Sequence, residues 1–185
     1  MKQYDEDTRC IDRTLNGDQY AFTQLVDRYQ EQVFRLVCSI VGREEDARDV
    51  AQDVFVKVYS HLRKFDGRSA FATWLYRIAC NTALSAVRRQ RETVPTDERL
   101  LSNIPDNEAD ALFACEADEM MIAALNRAIG RLAPDERAFV TLFYYEERTM
   151  VECAAIFGLT ENNAKVRLHR IRKKLYSIIK NDTTR

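Results

Sequence analysis

The sequence predicts an all-α protein made of two small helical domains joined by an acidic, flexible linker. Only five glycines and three prolines occur in 185 residues, so the frequent turns of a β-sandwich or barrel are disfavoured. Apolar residues instead recur at three- and four-residue spacing over long stretches, as in core-facing helices. The composition, 46% apolar and 31% charged, is that of an ordinary core-forming globular chain.

Opposite charges are segregated along the chain. Between residues 92 and 118, eight acidic residues accompany a single basic one, Arg99, and two of the three prolines. Between residues 160 and 185, eight basic residues accompany two acidic ones. We therefore predict an N-terminal extension (1–17), a helical domain (18–91), an acidic linker (92–118), a second helical domain (119–181) and a short tail (182–185).

The first predicted domain begins with a helix from about Asp18 through Val41. The next helix contains DARDVAQDVFVKVY, Asp46 to Tyr59, in which one stripe is apolar and predicted to be core. The opposite face gathers Asp49, Gln52, Asp53 and Val56. This face could be an ordinary solvated surface with one exposed valine or a partner surface, and the helix alone does not decide between them.

A short loop, FDGRS, leads into a third helix, FATWLYRIACNTALSAVRR. Its apolar residues, from Phe71 through Leu84, repeat at helical spacing and are predicted to be mostly core. Arg77, Asn81, Ser85, Arg88 and Arg89 lie elsewhere on this helix. Aromatic side chains beside arginines suit single-stranded nucleic acid, although core packing would explain most of the aromatic residues here.

The second domain carries the pattern of a helix-turn-helix. Pro134 starts one helix, Thr149 and Glu152 form a capping box for the next, and Gly158 ends it. Thr160 can then cap a final basic helix. Because such a helix fits the major groove of DNA, its first turns supply the candidate base readers and the later residues the candidate phosphate contacts. The readers are Asn162, Asn163, Lys165 and Arg167, and the phosphate contacts are Arg170, Lys173 and Lys174. The alternative is a basic surface helix that serves solubility or binds an acidic protein partner.

Other classes of site have little support in the sequence. The five cysteines are widely spaced and form no CxxC pair, which favours unpaired thiols in a reducing compartment over disulfides or zinc. The start of the chain has no apolar signal segment, and no stretch has the length of a membrane span. We expect a cytoplasmic protein without membrane insertion, metal or cofactor, and not an enzyme, since phosphate loops and nucleophile motifs are missing.

Three linked segments resemble a known family: DARDVAQDVFVKVY, FATWLYRIACN followed by RR, and LAPDERAFVTLFYYEERTMVECAAIFGLTENNAKVRLHRIRKKL. They are similar to the conserved segments of bacterial RNA polymerase sigma factors of the extracytoplasmic-function (ECF) group, the smallest in the sigma-70 family. The resemblance covers nearly the whole chain in the family's order. It implies a sigma-2 domain at 18–91, a sigma-4 domain at 119–181, and an acidic linker that passes through polymerase channels.

The resemblance also implies partners and roles. Core RNA polymerase would be bound through the beta-prime clamp helices and the beta flap, promoter DNA at the minus-10 and minus-35 elements, and an anti-sigma factor would mask these surfaces. Asp49, Gln52, Asp53 and Val56 would contact the clamp helices. Phe65, Arg68, Ser69, Trp74, Arg77, Asn81, Arg88 and Arg89 would bind the melted minus-10 element. Thr160, Asn162, Asn163, Lys165, Arg167, Arg170, Lys173 and Lys174 would bind the minus-35 duplex.

Two departures from the family pattern bear on specificity. Ser85 stands where many members have an acidic residue, and Glu161, Asn162 and Asn163 replace the small residues that often begin the recognition helix. The family's promoter preferences therefore do not carry over to this chain. A helix-turn-helix regulator that acts without polymerase is the alternative, with the N-terminal helices as a sensor or dimerisation module.

Overall fold

The computed structural model describes residues 2–91 and 119–183, and these residues form helices and turns without a β-strand. The N-terminal lobe comprises helices α1 (Lys2–Leu15), α2 (Gln19–Val41), α3 (Glu44–His61) and α4 (Phe71–Arg91), with a 3₁₀ turn at Leu62–Lys64. The C-terminal lobe comprises α5 (Glu119–Gly130), α6 (Pro134–Val140), α7 (Met150–Phe157) and α8 (Glu161–Thr183). The all-helical prediction is confirmed. The predicted acidic linker, residues 92–118, lies outside the described residues.

Helix α2 organises the N-terminal lobe because α1, α3 and α4 all pack against it. Asp18 caps its start by accepting the backbone N–H groups of Tyr20 and Ala21. Gly42 ends it in the left-handed region at φ 85°, where a residue without a Cβ is favoured. The start predicted at Asp18 and the end predicted at Val41 are therefore confirmed.

Most of the residues that we assigned to an N-terminal extension, Lys2–Leu15, form helix α1. Cys10 and Ile11 of this helix are buried in the core. The Asp7 carboxylate, also buried, forms an ion pair with Arg28 and accepts the hydroxyl of Tyr29. Helix α1 is thus held against α2 by apolar packing and by a partly buried ion pair.

In the C-terminal lobe, α7 and α8 form the two helices of a helix-turn-helix. Between α6 and α7, Thr141–Tyr145 forms one turn of π-helix. The predicted capping box is present, since Thr149 Oγ1 accepts the N–H of Glu152 and the Glu152 carboxylate accepts the N–H of Thr149. Gly158 adopts φ 67° after α7, and this left-handed residue turns the chain toward α8.

The two lobes pack against each other, α2 against α6 and α4 against α7. Their buried apolar residues form one hydrophobic cluster that extends through both lobes. Arg137 of α6 donates hydrogen bonds of 2.6 and 2.7 Å to the backbone carbonyls of Ser39 and Ile40, at the end of α2. The interface therefore combines apolar burial with an arginine that binds helix-end carbonyls.

Candidate functional surfaces

The first candidate surface, the acidic face of α3, consists of Asp49, Gln52, Asp53 and Val56. All four are exposed, and Val56 retains 61% of its accessible surface. The opposite stripe of α3 is buried, from Ala47 through Val58. The helical geometry predicted for this face is confirmed.

Other charged residues of α3 are already paired within the chain. Arg48 forms an ion pair of 2.6 Å with Glu44, and Arg43 one of 3.6 Å with Asp46. By contrast, no side chain among residues 2–91 and 119–183 forms a hydrogen bond or ion pair with Asp49, Gln52 or Asp53. The acidic face thus presents carboxylate and amide groups whose bonding capacity is left to water or to a partner.

Tyr59 extends this face at its C-terminal end. At helical spacing Tyr59 follows Phe55 and Val58 and was therefore predicted to belong to the apolar core stripe, but its side chain is 49% exposed. Its ring contacts Phe22 of α2 edge-on, with centroids 4.9 Å apart. Tyr59 lies at the margin of the stripe, where one side of the ring packs and the other meets solvent.

The second candidate surface begins with three aromatic rings around the loop before α4. The centroid of Phe65 lies 5.8 Å from that of Phe71 and 5.4 Å from that of Trp74. Phe71 is buried, whereas Phe65 and Trp74 are partly exposed. In the loop itself, the Asp66 carboxylate accepts the N–H of Arg68 at 3.1 Å and pairs with its guanidinium. Ser69 is partly buried and the Arg68 side chain is 89% exposed.

From Trp74 a stripe of polar residues continues along α4. Arg77, Asn81, Ser85, Arg88 and Arg89 are all exposed and follow one another at three- and four-residue spacing. From Trp74 to Arg88 this stripe extends about 21 Å at about 1.5 Å per residue. We call Phe65, Arg68 and Ser69, together with this stripe, the aromatic–basic surface. It offers rings for stacking and cations for phosphates on one continuous face.

The third candidate surface is the outer face of α8. Thr160 caps the helix, accepting the N–H of Asn163 at 3.2 Å. Asn162, Asn163, Lys165 and Arg170 are exposed, and Lys165 forms an exposed ion pair of 2.6 Å with Glu161 one turn earlier. These side chains can enter a major groove together, because they lie along the first three turns of one helix.

Arg167 points toward the protein. Its side chain is 24% exposed and forms an ion pair with Asp135 of α6. The guanidinium carbon lies 4.8 Å from the ring centroid of Phe157 and 5.5 Å from that of Phe139. Arg167 therefore fills a niche between α6 and α7 as α8 packs on them.

The later basic residues of α8 also differ in whether they face solvent or contact protein. Lys174 forms an ion pair of 2.7 Å with Glu136 of α6, while Lys173 is partly buried. Asp135 and Glu136, adjacent in α6, thus each bind one cation of α8. The eight predicted minus-35 residues lie on one helix and its cap, and the structure places Arg167 and Lys174 against protein.

The sequence pattern did not indicate the residues that join the lobes. On α4, Tyr76 and Cys80 are buried on a side that faces α7. Burial raises the pKa of Tyr76 to about 12, and the nearby Glu146 charge adds to the shift. The sequence does contain one indication of this contact. A second stripe of residues at helical spacing, beside the core stripe of α4, is also buried: Ala72, Tyr76, Cys80, Ala83 and Val87.

Two further observations concern metals and membranes. In the part of the chain that the structure describes, no group of three or more His, Cys, Asp or Glu side chains could hold a metal ion. None of the helices described there is both long and apolar enough to cross a membrane.

The chain is similar to known proteins over most of its length. The family model described as Sigma-70 region 2 matches residues 25–93, and the model described as Sigma-70, region 4, matches residues 122–175. Together they cover more than half of the chain. The ECF RNA polymerase sigma-E factor of Escherichia coli K12 is 34% identical over 182 residues, which cover 95% of this chain and 95% of that protein.

Two solved structures are similar in fold. The structure of CnrH, determined in complex with the cytosolic domain of CnrY, is 26% identical and has a TM-score of 0.66. The match covers 96% of this chain and 99% of CnrH. The Bartonella quintana sigma factor RpoE, determined in complex with the anti-sigma factor NepR, is 19% identical and has a TM-score of 0.63. That match covers 86% of this chain and 96% of the other.

Proposed function

Because this chain belongs to the ECF group of the sigma-70 family of RNA polymerase sigma factors, we propose that its three surfaces are contacts with polymerase and promoter. The acidic face binds the beta-prime clamp helices of core RNA polymerase. The aromatic–basic surface binds the melted minus-10 element, and the outer face of α8 binds the minus-35 duplex. The C-terminal lobe also contacts the beta flap. The chain directs transcription initiation without catalysing a reaction itself.

The observation that carries the polymerase assignment is the set of unpaired groups on the acidic face. Neighbouring charges on α3 are used in ion pairs, whereas Asp49, Gln52 and Asp53 have no such partner in the described residues. Val56 lies beside them with 61% of its surface exposed. A central apolar residue surrounded by polar groups is the usual composition of a protein interface.

The minus-10 assignment follows from the chemistry of single-stranded DNA. Trp74 and Phe65 present partly exposed rings, and Arg77 and Asn81 follow on the same side of α4. Stacking of a base on an aromatic ring is worth about 1–3 kcal/mol. This offsets the few kcal/mol needed to unstack a base from the duplex.

The minus-35 assignment rests on the exposed start of α8. Asn162 and Asn163 can bond base edges, while Lys165 and Arg170 can neutralise phosphates. Arg167 is part of the same proposal only if it leaves Asp135 on binding DNA. We propose instead that Arg167 holds α8 on α6 and α7.

The family suggests a place of action and a further partner. We propose that the chain acts in the cytoplasm, where polymerase and promoter DNA are found, and that an anti-sigma factor controls it. A regulator that acts without polymerase is not favoured, since region 2, the polymerase-binding part of the family, matches residues 25–93.

The test is co-purification with core polymerase. Gln52→Ala combined with Asp53→Arg should abolish it, because the new cation replaces a carboxylate at the centre of the acidic face. Asp27→Arg, the same charge change at an exposed carboxylate of α2, is the matched control and should bind as the unchanged protein does. Equal binding by all three proteins would remove the acidic face from the proposed interface.

A further inference from the structure

Val166 is an apolar residue on the outer face of α8, and its side chain is 42% exposed. At about 100° per residue, it lies about 40° around the helix from Asn162 and about 40° from Arg170. The buried stripe of α8, from Ala164 through Leu175, lies on the opposite side. Val166 is therefore at the centre of the face that we propose for the minus-35 duplex, although it was not among the residues predicted to bind it.

Two of the predicted base readers are already bound to carboxylates. Arg167 pairs with Asp135 of α6, and the Lys165 ammonium lies 2.6 Å from the Glu161 carboxylate. Arginine and lysine are the side chains that most often bind guanine in the major groove. In this chain both cations of the first two turns of α8 are thus held by carboxylates. The other exposed side chains of these turns that can meet base edges are Asn162, Asn163 and Val166.

A valine contributes little to the fold at this position. Its β-branched side chain loses rotamer freedom in a helix, and two-fifths of its surface remains in water. It also has no donor with which to bind a phosphate. The chemistry of the side chain suits an apolar group of the partner, on a face where the neighbouring residues are amides and cations.

The major groove offers such a group, the 5-methyl group of thymine. In the same base pair, adenine presents the N6 and N7 atoms that an asparagine side chain binds bidentately. One turn of α-helix advances about 5.4 Å, while adjacent base pairs are about 3.4 Å apart. Because Asn162 and Val166 are one turn apart, they can contact the same A·T pair or neighbouring pairs.

From these observations we infer that Val166 is a base-reading residue, which contacts the 5-methyl group of a thymine in the minus-35 element beside an adenine bound by Asn162. The minus-35 element of this chain therefore contains an A·T pair at the centre of the contact with α8. This inference rests on the proposed function, because it concerns the duplex that the outer face of α8 binds.

The test removes the apolar contact first from the DNA and then from the protein. The full-length chain in complex with core polymerase selects minus-35 duplexes from a library randomised at this element. Each thymine of the selected duplex is then replaced in turn by deoxyuridine, which pairs with adenine as thymine does but lacks the 5-methyl group. We expect one of these replacements to weaken binding about three- to fourfold, the effect of exposing one buried apolar carbon.

Three variants are compared on the same duplexes. Val166→Ala should weaken binding of the selected duplex by about the same factor, and deoxyuridine should then make no further difference, because the two changes remove one contact. Val151→Ala, the same truncation at a valine of α7 that is 61% exposed, is the matched control and should keep the full sensitivity to deoxyuridine. Asn162→Ala should relax the preference for adenine at the same or the neighbouring pair. Circular dichroism checks that the helices of each variant are intact.

The outcomes separate the inference from the proposed function. If the complex selects a duplex but no deoxyuridine replacement weakens binding, or if Val166→Ala remains as sensitive to deoxyuridine as the unchanged protein, Val166 does not read thymine and the inference fails. The minus-35 assignment of α8 is unaffected by either result. If the complex selects no minus-35 sequence from the library, that assignment fails, and the inference fails with it.

Discussion

Replacing Arg167 by alanine should destabilise the C-terminal lobe rather than remove a contact with DNA. The guanidinium pairs with Asp135 and lies over the rings of Phe139 and Phe157. All of these partners belong to α6 and α7. The substitution removes the contacts and leaves a gap between the three helices.

The expected loss can be worked out from these contacts. Two cation–π contacts at a partly exposed site contribute about 0.5–1 kcal/mol each. An ion pair with a half-exposed carboxylate adds about 0.2–1 kcal/mol. We therefore expect the free energy of unfolding of the C-terminal lobe to fall by about 2 kcal/mol. A base reader would instead lose about 1–3 kcal/mol of DNA affinity.

Urea unfolding followed by circular dichroism measures the first quantity, and binding of a minus-35 duplex by the polymerase complex measures the second. Arg170→Ala is the matched control, since Arg170 is exposed on the same helix, one turn earlier than Lys174. It should weaken DNA binding and leave unfolding unchanged. Asp135→Ala should also lower the free energy of unfolding, by less than Arg167→Ala does, and it should leave DNA binding unchanged.

The reasoning is refuted if Arg167→Ala unfolds at the same urea concentration as the unchanged protein but loses recognition of the minus-35 duplex. In that case Arg167 leaves Asp135 when DNA arrives, and the role first inferred from the sequence is the correct one. Loss of both properties in Arg167→Ala, with Asp135→Ala fully stable, would also contradict the proposed niche.

Three further predictions concern stability. Thr149→Ala should lower the free energy of unfolding by about 1 kcal/mol in urea titrations, because the capping box loses its hydroxyl; an unchanged midpoint would count against that cap. Asp7→Asn should lower the free energy of unfolding by about 2 kcal/mol, since the partly buried guanidinium of Arg28 loses its buried carboxylate partner and keeps only the exposed Glu6; intact stability would show that α1 is held by apolar packing alone. Burial raises the pKa of Tyr76, Cys80 and Cys153 to about 12 each. The folded state therefore keeps these protons more tightly than the unfolded state. The contribution of these groups to the free energy of unfolding should therefore be fully present below about pH 9 and decrease as the pH rises toward about 12. A urea midpoint that does not change with pH in that range would refute this prediction.

Much of the fold follows from local patterns in the sequence. The end of α2 at Gly42, the capping box at Thr149 and the left-handed Gly158 are each set by residues within one or two turns. The same is true of the acidic face, because the spacing of Asp49, Gln52, Asp53 and Val56 determines their side of α3. Such features can be predicted without knowing how distant parts of the chain pack.

Features that depend on distant partners were harder to predict. Arg167 looked like a surface cation, yet it lies three residues after Ala164 and four before Ile171, both buried. That spacing places it at the margin of the core stripe. Helix α1 was also missed, because its many charges concealed Cys10 and Ile11 and because the partner of Asp7 lies 21 residues away.

The hydrogen bonds of Arg137 have a consequence for genetics. Backbone carbonyls are the same whatever side chains stand at residues 39 and 40, so substitutions there leave these acceptors in place. A screen for variants in which the two lobes pack less tightly should therefore recover changes at Arg137 more readily than changes at its acceptors on α2. The sequence requirement for this contact thus lies mainly in the C-terminal half of the gene, although both halves of the protein make the contact.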